Sequence, residues 1–185
     1  AKFGFGQSLH IPMPATPSTI PAQLNAPQTA QSAIGQYEVK ATPLQMAMVA
    51  AAIGNGGKVM TPYLVQRVVS SDLQTIEGPQ QHDLGDAISP GTAEQLTQMM
   101  TDVVAEGTGT PAQIPGVQVA GKTGTAQHGE GAAPHAWFTG FAPASSPKVA
   151  VAVVVEDGGQ AGSEAAGGTV AGPIAKAVME AVLNS

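Results

Sequence analysis

The sequence predicts an α/β fold of the α+β type, in which helices flank an antiparallel β-sheet. Three strand-like segments, residues 117–126, 136–142 and 148–156, follow one another with short connections. Short connections favour an antiparallel meander, because parallel strands need crossovers of a dozen or more residues. Two segments with helix-capping signals precede these strands, and one amphipathic segment follows them. Helices are therefore available to flank the sheet.

Residues 1–41 are predicted to be irregular. They are rich in proline and show little hydrophobic periodicity, which is typical of a long crossing segment rather than of packed elements. The prolines are Pro12, Pro14, Pro17, Pro21 and Pro27. A compact domain rarely begins in this way, so we expect this segment to lie over a part of the structure outside these 185 residues.

The first predicted helix begins at Thr42-Pro43-Leu44-Gln45. Threonine is a good N-cap, proline suits the first helical position, and a glutamine three residues after the cap completes a capping box. Residues 46–53 are small and apolar on nearly all sides, as a buried helix should be. The glycine-rich Gly54-Asn55-Gly56-Gly57 is expected to end the helix.

The region after this helix is predicted to be mostly surface. Residues 65–69 alternate enough for one short strand. Residues 72–87 are polar and contain glycine, so we expect a surface excursion there.

A second helix is predicted from Ser89-Pro90 to Gly107. Its apolar residues recur at the i, i+3, i+4, i+7 and i+8 spacing of one helix face. They are Leu96, Met99, Met100, Val103 and Val104.

The C-terminal segment is predicted to be an amphipathic helix that covers one face of the sheet. The residues expected on its apolar face are Val170, Ile174, Ala177, Val178, Ala181 and Val182.

The composition excludes several classes of function. Seven Lys and Arg against 13 Asp and Glu give a net charge of −6, so a nucleic-acid partner is not expected. No apolar run approaches the ~20 residues that span a bilayer, and no targeting segment is evident. The absence of cysteine excludes disulfides and thiolate metal sites, and the sequence predicts no metal centre.

Residues 116–123 match the phosphate-loop pattern G-x-x-x-x-G-K-[ST], which taken alone indicates an NTPase. That mechanism needs a buried strand before the loop and a helix that begins at the lysine, so that backbone N–H groups converge on phosphate. Here the loop interior is itself strand-like, and Gly124, Gly129 and Gly131 disfavour a helix after it. The NTPase hypothesis is therefore disfavoured. It predicts nucleotide binding that Lys122→Ala abolishes.

Lys122-Thr123-Gly124 and Thr125 are instead interpreted as one strand that carries a cation, two hydroxyls and a glycine. Because side chains alternate along a strand, Thr123 and Thr125 share a face on which both hydroxyls can bind a carboxylate. Strict alternation places Lys122 on the opposite face. Gly121 and Gly124 remove side-chain bulk where a ligand or another backbone comes close.

A longer succession of motifs surrounds this strand. Lys-Thr-Gly-Thr at 122–125 is followed by His135-Ala136-Trp137-Phe138-Thr139-Gly140-Phe141-Ala142-Pro143 and a valine-rich strand. This succession resembles the end of the transpeptidase domain of class B penicillin-binding proteins. Ile34-Gly35-Gln36 and the segment from Thr42-Pro43 to Gly56-Gly57 are similar to the same family in order and spacing. The resemblance implies a penicillin-binding protein/β-lactamase-like transpeptidase fold.

The resemblance also implies a reaction, a D,D-transpeptidation by serine acyl transfer without a cofactor. A serine attacks the penultimate D-Ala carbonyl of a peptidoglycan stem peptide, D-Ala leaves, and the acyl group passes to an amine of a neighbouring stem. β-Lactams acylate the same serine. By resemblance, Lys122 supplies positive potential, while Thr123, Gly124 and Thr125 bind the substrate. The Thr125 N–H would be an oxyanion donor.

The sequence departs from the family pattern in one large respect. The nucleophile of the family lies in an S-x-x-K helix and is followed by a Ser-x-Asn motif. No Ser-x-Asn occurs here, and Ser145-Ser146-Pro147-Lys148 is predicted to be a hairpin turn because proline interrupts it. Residues 1–185 are therefore expected to be the C-terminal portion of one transpeptidase domain, whose nucleophile-bearing portion is a partner. A membrane anchor would also belong to that missing part, and the location would be the extracytoplasmic face of the bacterial membrane.

Two other functions stay open at this point. A D,D-carboxypeptidase would use the same strand and give the acyl group to water. A non-catalytic fragment that recognises peptidoglycan or β-lactams would fit the missing serine.

Three polar residues are possible rim residues of the site: Gln127, His128 and His135. His128-Gly129-Glu130 also matches the H-x-E of zinc deaminases. Without cysteine the remaining zinc ligands of that motif are absent, so a polar loop is the favoured interpretation.

Overall fold

The computed structural model describes residues 2–11, 13–78, 82–129 and 131–185. Its strands and α-helices are β1 (Leu9–His10), β2 (Pro14–Ala15), α1 (Ala26–Ala33), α2 (Pro43–Gly54), β3 (Lys58–Met60), β4 (Val68–Val69), β5 (Thr75–Glu77), β6 (Asp83–Asp86), α3 (Pro90–Ala105), β7 (Ala120–Ala126), β8 (His135–Ala142), β9 (Val149–Val155) and α4 (Gly172–Leu183). No helix among the described residues is long and apolar enough to cross a membrane.

The centre of the fold is the antiparallel meander β7-β8-β9, as predicted. Consecutive residues of β8 point to opposite faces of this sheet. Phe138 packs in a core cluster with Ala175 and Met179 of α4, whereas the Thr139 hydroxyl donates to the Met46 carbonyl of α2 at 3.1 Å. The sheet is therefore enclosed between α4 and α2, which confirms the predicted antiparallel sheet flanked by helices.

Helix α2 begins where the capping signal predicts, but half of the capping box is different. The Thr42 hydroxyl accepts from the Gln45 N–H at 3.2 Å. The Gln45 side chain does not return to Thr42; it donates to the Phe3 carbonyl at 2.7 Å and is only 2% exposed. The Thr42 N–H donates to the Ser18 hydroxyl instead. Gln45 therefore ties the N-terminal segment to α2.

The expectation of irregular chain over residues 1–41 is wrong for α1 and for the β1-β2 hairpin. Helix α1 has a full capping box, in which Asn25 and Gln28 bond each other's backbone N–H. None of its residues is buried. A helix without a buried face leaves no hydrophobic periodicity in the sequence, so only its caps could have predicted it.

The predicted surface excursion contains two strands. β6 pairs with β3, and β5 pairs with β4, whose two residues are the part of the predicted strand 65–69 that forms. All residues of β5 and β6 are exposed. The surface position is therefore as predicted, but the strands were missed, because strands with no buried side lack the alternation by which a strand is predicted.

Helix α3 begins at the Ser89 cap and buries Met100 and Val104, as predicted. Met99, expected on the same apolar face, is 60% exposed.

Helix α4 forms where predicted, but the expected apolar face is wrong. Its buried residues are Gly172, Ala175 and Met179. Ile174, Val178 and Val182 are 44–45% exposed. The side of α4 that packs on the sheet is therefore formed by two small residues and one methionine, and the branched aliphatic side chains face away from it.

Candidate active site

Strand β7 carries the predicted Lys-Thr-Gly-Thr sequence along an open edge. Among the described residues it pairs on one side only, with β8. Lys122 and Thr125 are exposed, Thr123 is buried, and Gly124 is intermediate. The edge is therefore accessible over the part of the chain that carries the motif.

The backbone of Thr125 faces this open edge. Its carbonyl accepts a hydrogen bond from the side chain of Gln36, which lies outside the sheet, at 3.3 Å. In an antiparallel strand the N–H and C=O of one residue point to the same side. The Thr125 N–H therefore also points away from β8, and so do the backbone groups of Thr123, two residues earlier. An added strand or ligand can use these groups.

The two threonines share a face, as the alternation predicts, but their environments differ. Thr123 is 9% exposed, and its hydroxyl lies 2.6 Å from the Thr108 hydroxyl. Thr125 has an exposed side chain. A carboxylate laid along β7 would therefore meet an exposed hydroxyl at Thr125 and a buried one at Thr123 that is hydrogen-bonded to Thr108.

Lys122 points to the opposite face from the threonines, yet its ammonium returns to the open edge. Its Nζ donates to the carbonyl of Thr123. The long side chain thus reaches over the strand, and its positive charge lies beside the outward-facing backbone groups.

A cavity of about 850 Å³ lies along β7. One wall is β7 and the loop after it, which includes all of the predicted site residues from Lys122 to His128. The opposite wall is the segment 34–41, and Met46 of α2 and Trp137 of β8 also contribute. The cavity is large enough for a drug-sized ligand or a short peptide.

Two glycines support β7 from behind. A Cβ at Gly167 would come within 2.5 Å of the Gly124 carbonyl oxygen, and a Cβ at Gly168 would come within 1.9 Å of the Thr108 carbonyl oxygen. Only glycine allows the chain before α4 to pack this closely on the strand and on Thr108.

The predicted rim residues Gln127, His128 and His135 line the far end of the cavity. The imidazole rings of His128 and His135 are stacked, with centroids 3.7 Å apart. Glu130, the third residue of the H-x-E pattern, lies outside the described residues.

The structure disagrees with the two competing motifs. Residues 120–123 of the phosphate-loop pattern lie within β7, and the described residues after the lysine continue the strand rather than start a helix. Ser145-Ser146-Pro147-Lys148 lies in the turn between β8 and β9, where the Lys148 N–H donates to the Ala142 carbonyl at 2.9 Å. Neither segment can perform the chemistry of its motif.

Several residues of the site were not predicted from the sequence. Thr108, Gln36, Gly167 and Gly168 lie outside β7 in the sequence, the first of them 15 residues before Thr123, and reach the strand only through the fold. Two signals in the sequence could have indicated them: Gln36 lies in the Ile34-Gly35-Gln36 motif of the family resemblance, and the adjacent glycines at 167–168 are typical of a close backbone approach.

Comparison with known proteins places this geometry in a family. The penicillin-binding protein transpeptidase domain model matches residues 1–180. The chain is 47% identical to the peptidoglycan D,D-transpeptidase PbpA of Mycolicibacterium smegmatis over 178 residues, which cover 94% of the chain and 36% of that protein. It therefore spans about a third of the length of this relative.

Solved structures give the same result. Penicillin-binding protein A from M. tuberculosis, in a ceftriaxone acyl-enzyme complex, matches with a TM-score of 0.90 and 42% identity over 98% of the chain and 41% of that structure. Penicillin-binding protein 3 from M. tuberculosis, in complex with aztreonam, matches with a TM-score of 0.85 and 29% identity over 99% of the chain and 44% of that structure. The resemblance predicted from Lys-Thr-Gly-Thr and its flanking motifs is confirmed, and the chain belongs to the family of penicillin-binding protein transpeptidase domains.

Proposed function

We propose that this chain is the C-terminal portion of a peptidoglycan D,D-transpeptidase domain and supplies the Lys-Thr-Gly wall of its active site. The observation that carries the proposal is the open edge of β7, where the Thr125 backbone groups, two threonine hydroxyls and one ammonium line a single cavity. A serine from the remaining portion of the domain is the nucleophile. Two relatives that align with 94% of this chain carry this activity in their names, which supports the assignment.

In the proposed reaction the terminal D-Ala-D-Ala of a stem peptide lies along β7. The serine oxygen forms a bond to the penultimate carbonyl carbon and loses its proton, and the C–N bond to the terminal D-Ala breaks with protonation of the leaving amine. An amine of a second stem then attacks the ester and releases the serine. Only the acceptor in this second step distinguishes a transpeptidase from a carboxypeptidase, for which it is water.

The residues of β7 have separate roles in this reaction. The Thr125 N–H points toward the open edge and can donate to the oxyanion that develops on the attacked carbonyl, a contribution of about 3 kcal/mol in comparable acyl-transfer sites. The Thr123 and Thr125 hydroxyls bind the terminal carboxylate of the substrate or drug. The Lys122 ammonium adds positive potential beside them.

The peptide is proposed to bind by adding a strand to the sheet. Main-chain hydrogen bonds to Thr123 and Thr125 would fix its register, and the cavity would receive its side chains. The Gln36 side chain now donates a hydrogen bond to the Thr125 carbonyl, and the incoming strand would displace it.

The rest of the domain is the proposed permanent partner. The location follows from the substrate: peptidoglycan stem peptides lie outside the cell membrane, so we propose that the domain acts on the extracytoplasmic face. Peptidoglycan and β-lactams are the proposed ligands, and the ceftriaxone and penicillin G complexes of the M. tuberculosis relative support the second of these.

A fluorescent penicillin tests the proposed chemistry in the full-length protein. We expect covalent labelling of the polypeptide that carries the S-x-x-K serine, and loss of the label when an unlabelled β-lactam is added first. If no species is labelled, the proposed acyl transfer is wrong.

A substitution at Thr125 tests the proposed wall. Thr125→Val keeps the shape but removes the hydroxyl, and we expect it to slow acylation by carboxylate-bearing β-lactams about 10-fold, since hydrogen bonds to charged groups contribute about 1.5–3 kcal/mol. Thr125→Ser, which keeps the hydroxyl, is the matched control and should restore most of the rate. Equal rates for wild type and Thr125→Val would contradict the carboxylate role.

A further inference from the structure

Thr108 lies outside the motifs of the sequence, in the chain between α3 and β7. Its hydroxyl oxygen is 2.6 Å from that of Thr123. Thr123 lines the cavity, whereas Thr108 is not part of the cavity lining. We propose that Thr108 is a positioning residue, which turns the Thr123 hydroxyl so that its proton points to the carboxylate of a ligand on β7. The inference rests on the proposed function, in which Thr123 binds that carboxylate.

The direction of the hydrogen bond between the two threonines decides what Thr123 can do. A hydroxyl group has one proton to donate and two lone pairs with which to accept. If Thr123 donates its proton to Thr108, it has none left for a carboxylate, and its lone pairs face an anion. If Thr108 donates instead, the proton of Thr123 is free for the ligand. An anionic ligand therefore favours the arrangement in which Thr108 is the donor.

No other partner opposes this direction. Among the described residues, the hydroxyls of Thr108 and Thr123 hydrogen-bond only to each other. The proton of Thr108 is therefore available to Thr123. A hydroxyl that accepts one hydrogen bond also donates a stronger one, by roughly 10–30%. Thr108 would thus both orient the Thr123 hydroxyl and strengthen its bond to the carboxylate.

The turn that carries Thr108 is held firmly at the end of α3. The N–H groups of Gly107 and Gly109, on either side of Thr108, both donate to the Val103 carbonyl, at 3.1 and 2.9 Å. The Gln113 side chain donates to two further carbonyls in the last turn of α3, each at 2.9 Å. The backbone of Thr108 therefore has a defined position relative to this helix.

Close packing from the other side places Thr108 against β7. A Cβ at Gly168 would come within 1.9 Å of the Thr108 carbonyl oxygen and would lie 3.5 Å from Cγ2 of Thr123. Gly168 thus packs against both threonines. The end of α3, the chain before α4 and β7 all meet at this point, so three elements of the fold set the contact between the two hydroxyls.

Thr125 has no comparable support. Its side chain is exposed, and its hydroxyl has no hydrogen-bond partner among the described residues. Loss of the Thr108 hydroxyl should therefore affect only the part of carboxylate binding that depends on Thr123. We expect a partial loss of carboxylate recognition, with the contribution of Thr125 retained.

Acylation of the full-length protein by penicillin G and by its methyl ester tests the proposal. The ester keeps the β-lactam ring but lacks the anionic carboxylate. We expect Thr108→Val, which keeps the shape of the side chain, to slow acylation by penicillin G about 3- to 10-fold, as the loss of one hydrogen bond usually does, and to change acylation by the ester less than about twofold. Thr108→Ser keeps the hydroxyl and should restore most of the rate with penicillin G.

Thr101→Val is the matched control. Thr101 is a buried threonine of α3, and its hydroxyl donates to the Thr97 carbonyl of the same helix at 2.8 Å. The substitution removes a threonine hydroxyl close to Thr108 along the chain but not one that contacts β7. We expect it to leave acylation by both compounds at the wild-type rates.

A second measurement tests the coupling between the two threonines. In a Thr123→Val background, Thr108→Val should have no further effect on acylation by penicillin G, because the hydroxyl that it orients is already absent. An additive loss would overturn the proposal. If urea denaturation shows that Thr108→Val fails to fold, Thr108→Ala takes its place, since the exposed position of Thr108 tolerates a smaller side chain.

The remaining outcomes separate this inference from the proposed function. Equal slowing of penicillin G and its ester by Thr108→Val would mean that Thr108 only supports the structure, and the proposal would be wrong. Unchanged rates with both compounds would overturn it while leaving the proposed function intact. A wild-type protein that neither compound acylates would contradict the proposed function and this inference with it.

Discussion

The two outer strands of the central sheet, β7 and β9, present different edges. In the described part of the chain each pairs only with β8. β7 reads Ala-Gly-Lys-Thr-Gly-Thr-Ala, with hydroxyls, glycines and a cation, and its edge faces the cavity. β9 consists entirely of valine and alanine. The same sheet therefore ends in a polar edge on one side and an apolar edge on the other.

We interpret the polar edge of β7 as an edge that binds a ligand and the apolar edge of β9 as a packing edge, which another part of the protein covers. An apolar strand with unpaired N–H and C=O groups is a template for aggregation, and proteins cover such edges. Helix α4, which packs on β9, also exposes Ile174, Val178 and Val182. We therefore expect the proposed remaining portion of the domain to cover β9 and this helix face. The polar edge of β7 can stay open because its charge and glycines make uncontrolled pairing unfavourable.

The largest effect is expected at Gly168, which packs closely against Thr108 beside the polar edge. In Gly168→Ala, the new Cβ would overlap the Thr108 carbonyl oxygen, so the backbone beside Thr123 must move. We expect a loss of about 3 kcal/mol in the free energy of unfolding, the upper part of the usual range for overpacking. Urea denaturation measures this loss, and β-lactam acylation should fall with it.

Gly91→Ala is the control for this substitution. Gly91 lies in the first turn of α3, and a Cβ there meets nothing within 4 Å. Alanine should be neutral or stabilising by up to about 1 kcal/mol. If Gly168→Ala is as harmless as Gly91→Ala, the polar edge does not depend on this close approach.

The next effect concerns the charge on the polar edge. Lys122→Met keeps most of the aliphatic stem and removes the ammonium that now binds the Thr123 carbonyl. We expect acylation to slow by about 10- to 100-fold, since the loss of a charged hydrogen-bonding partner costs about 1.5–3 kcal/mol. Stopped-flow acylation kinetics measure the change. Lys148→Met, at the opposite end of the sheet, should leave the rate unchanged; a similar loss in both variants would mean that only the net charge matters.

The prediction of the fold from sequence succeeded where burial leaves a pattern. β7, β8 and β9 and the starts of α2 and α3 follow from alternation, short connections and capping residues. α1, β5 and β6 lack buried faces and were missed. In α4 the periodicity identified the helix but not its buried side, because that side is Gly172, Ala175 and Met179, whereas the valines and isoleucine that dominate the apolar pattern are exposed.

The candidate site shows the same division. Lys122, Thr123, Gly124 and Thr125 are contiguous, so a local pattern identifies them and their alternation. Thr108 and Gly168 come from other parts of the chain, and the sequence contains no spacing that connects them with β7. Their contribution depends on tertiary contacts that a pattern of residues does not encode.

A smaller effect tests the packing edge. Val178→Lys places a charge on the exposed apolar face of α4, and Val69→Lys places one at a similarly exposed valine of β4. If the rest of the domain covers α4, Val178→Lys should lower the stability of the full-length protein by about 1–3 kcal/mol, the cost of burying an unpaired polar group. Val69→Lys should stay within about 0.5 kcal/mol of the wild type. Equal thermal stabilities for the two variants would indicate that α4 is not covered, and the interpretation of β9 and α4 as a packing surface would be wrong.

The smallest effect concerns how the polar edge is kept while it is unoccupied. Gln36 donates to the Thr125 carbonyl over 3.3 Å at an exposed position, and a bound strand would need the same acceptor. In Gln36→Ala this competition is absent, so acylation should become about two- to threefold faster, in line with ~0.5 kcal/mol for a weak exposed hydrogen bond. Gln31→Ala, on the neighbouring helix α1, is the control and should have the wild-type rate. Slower acylation by Gln36→Ala would instead mean that Gln36 contacts the ligand itself, and the polar edge would then extend across the cavity to the segment 34–41.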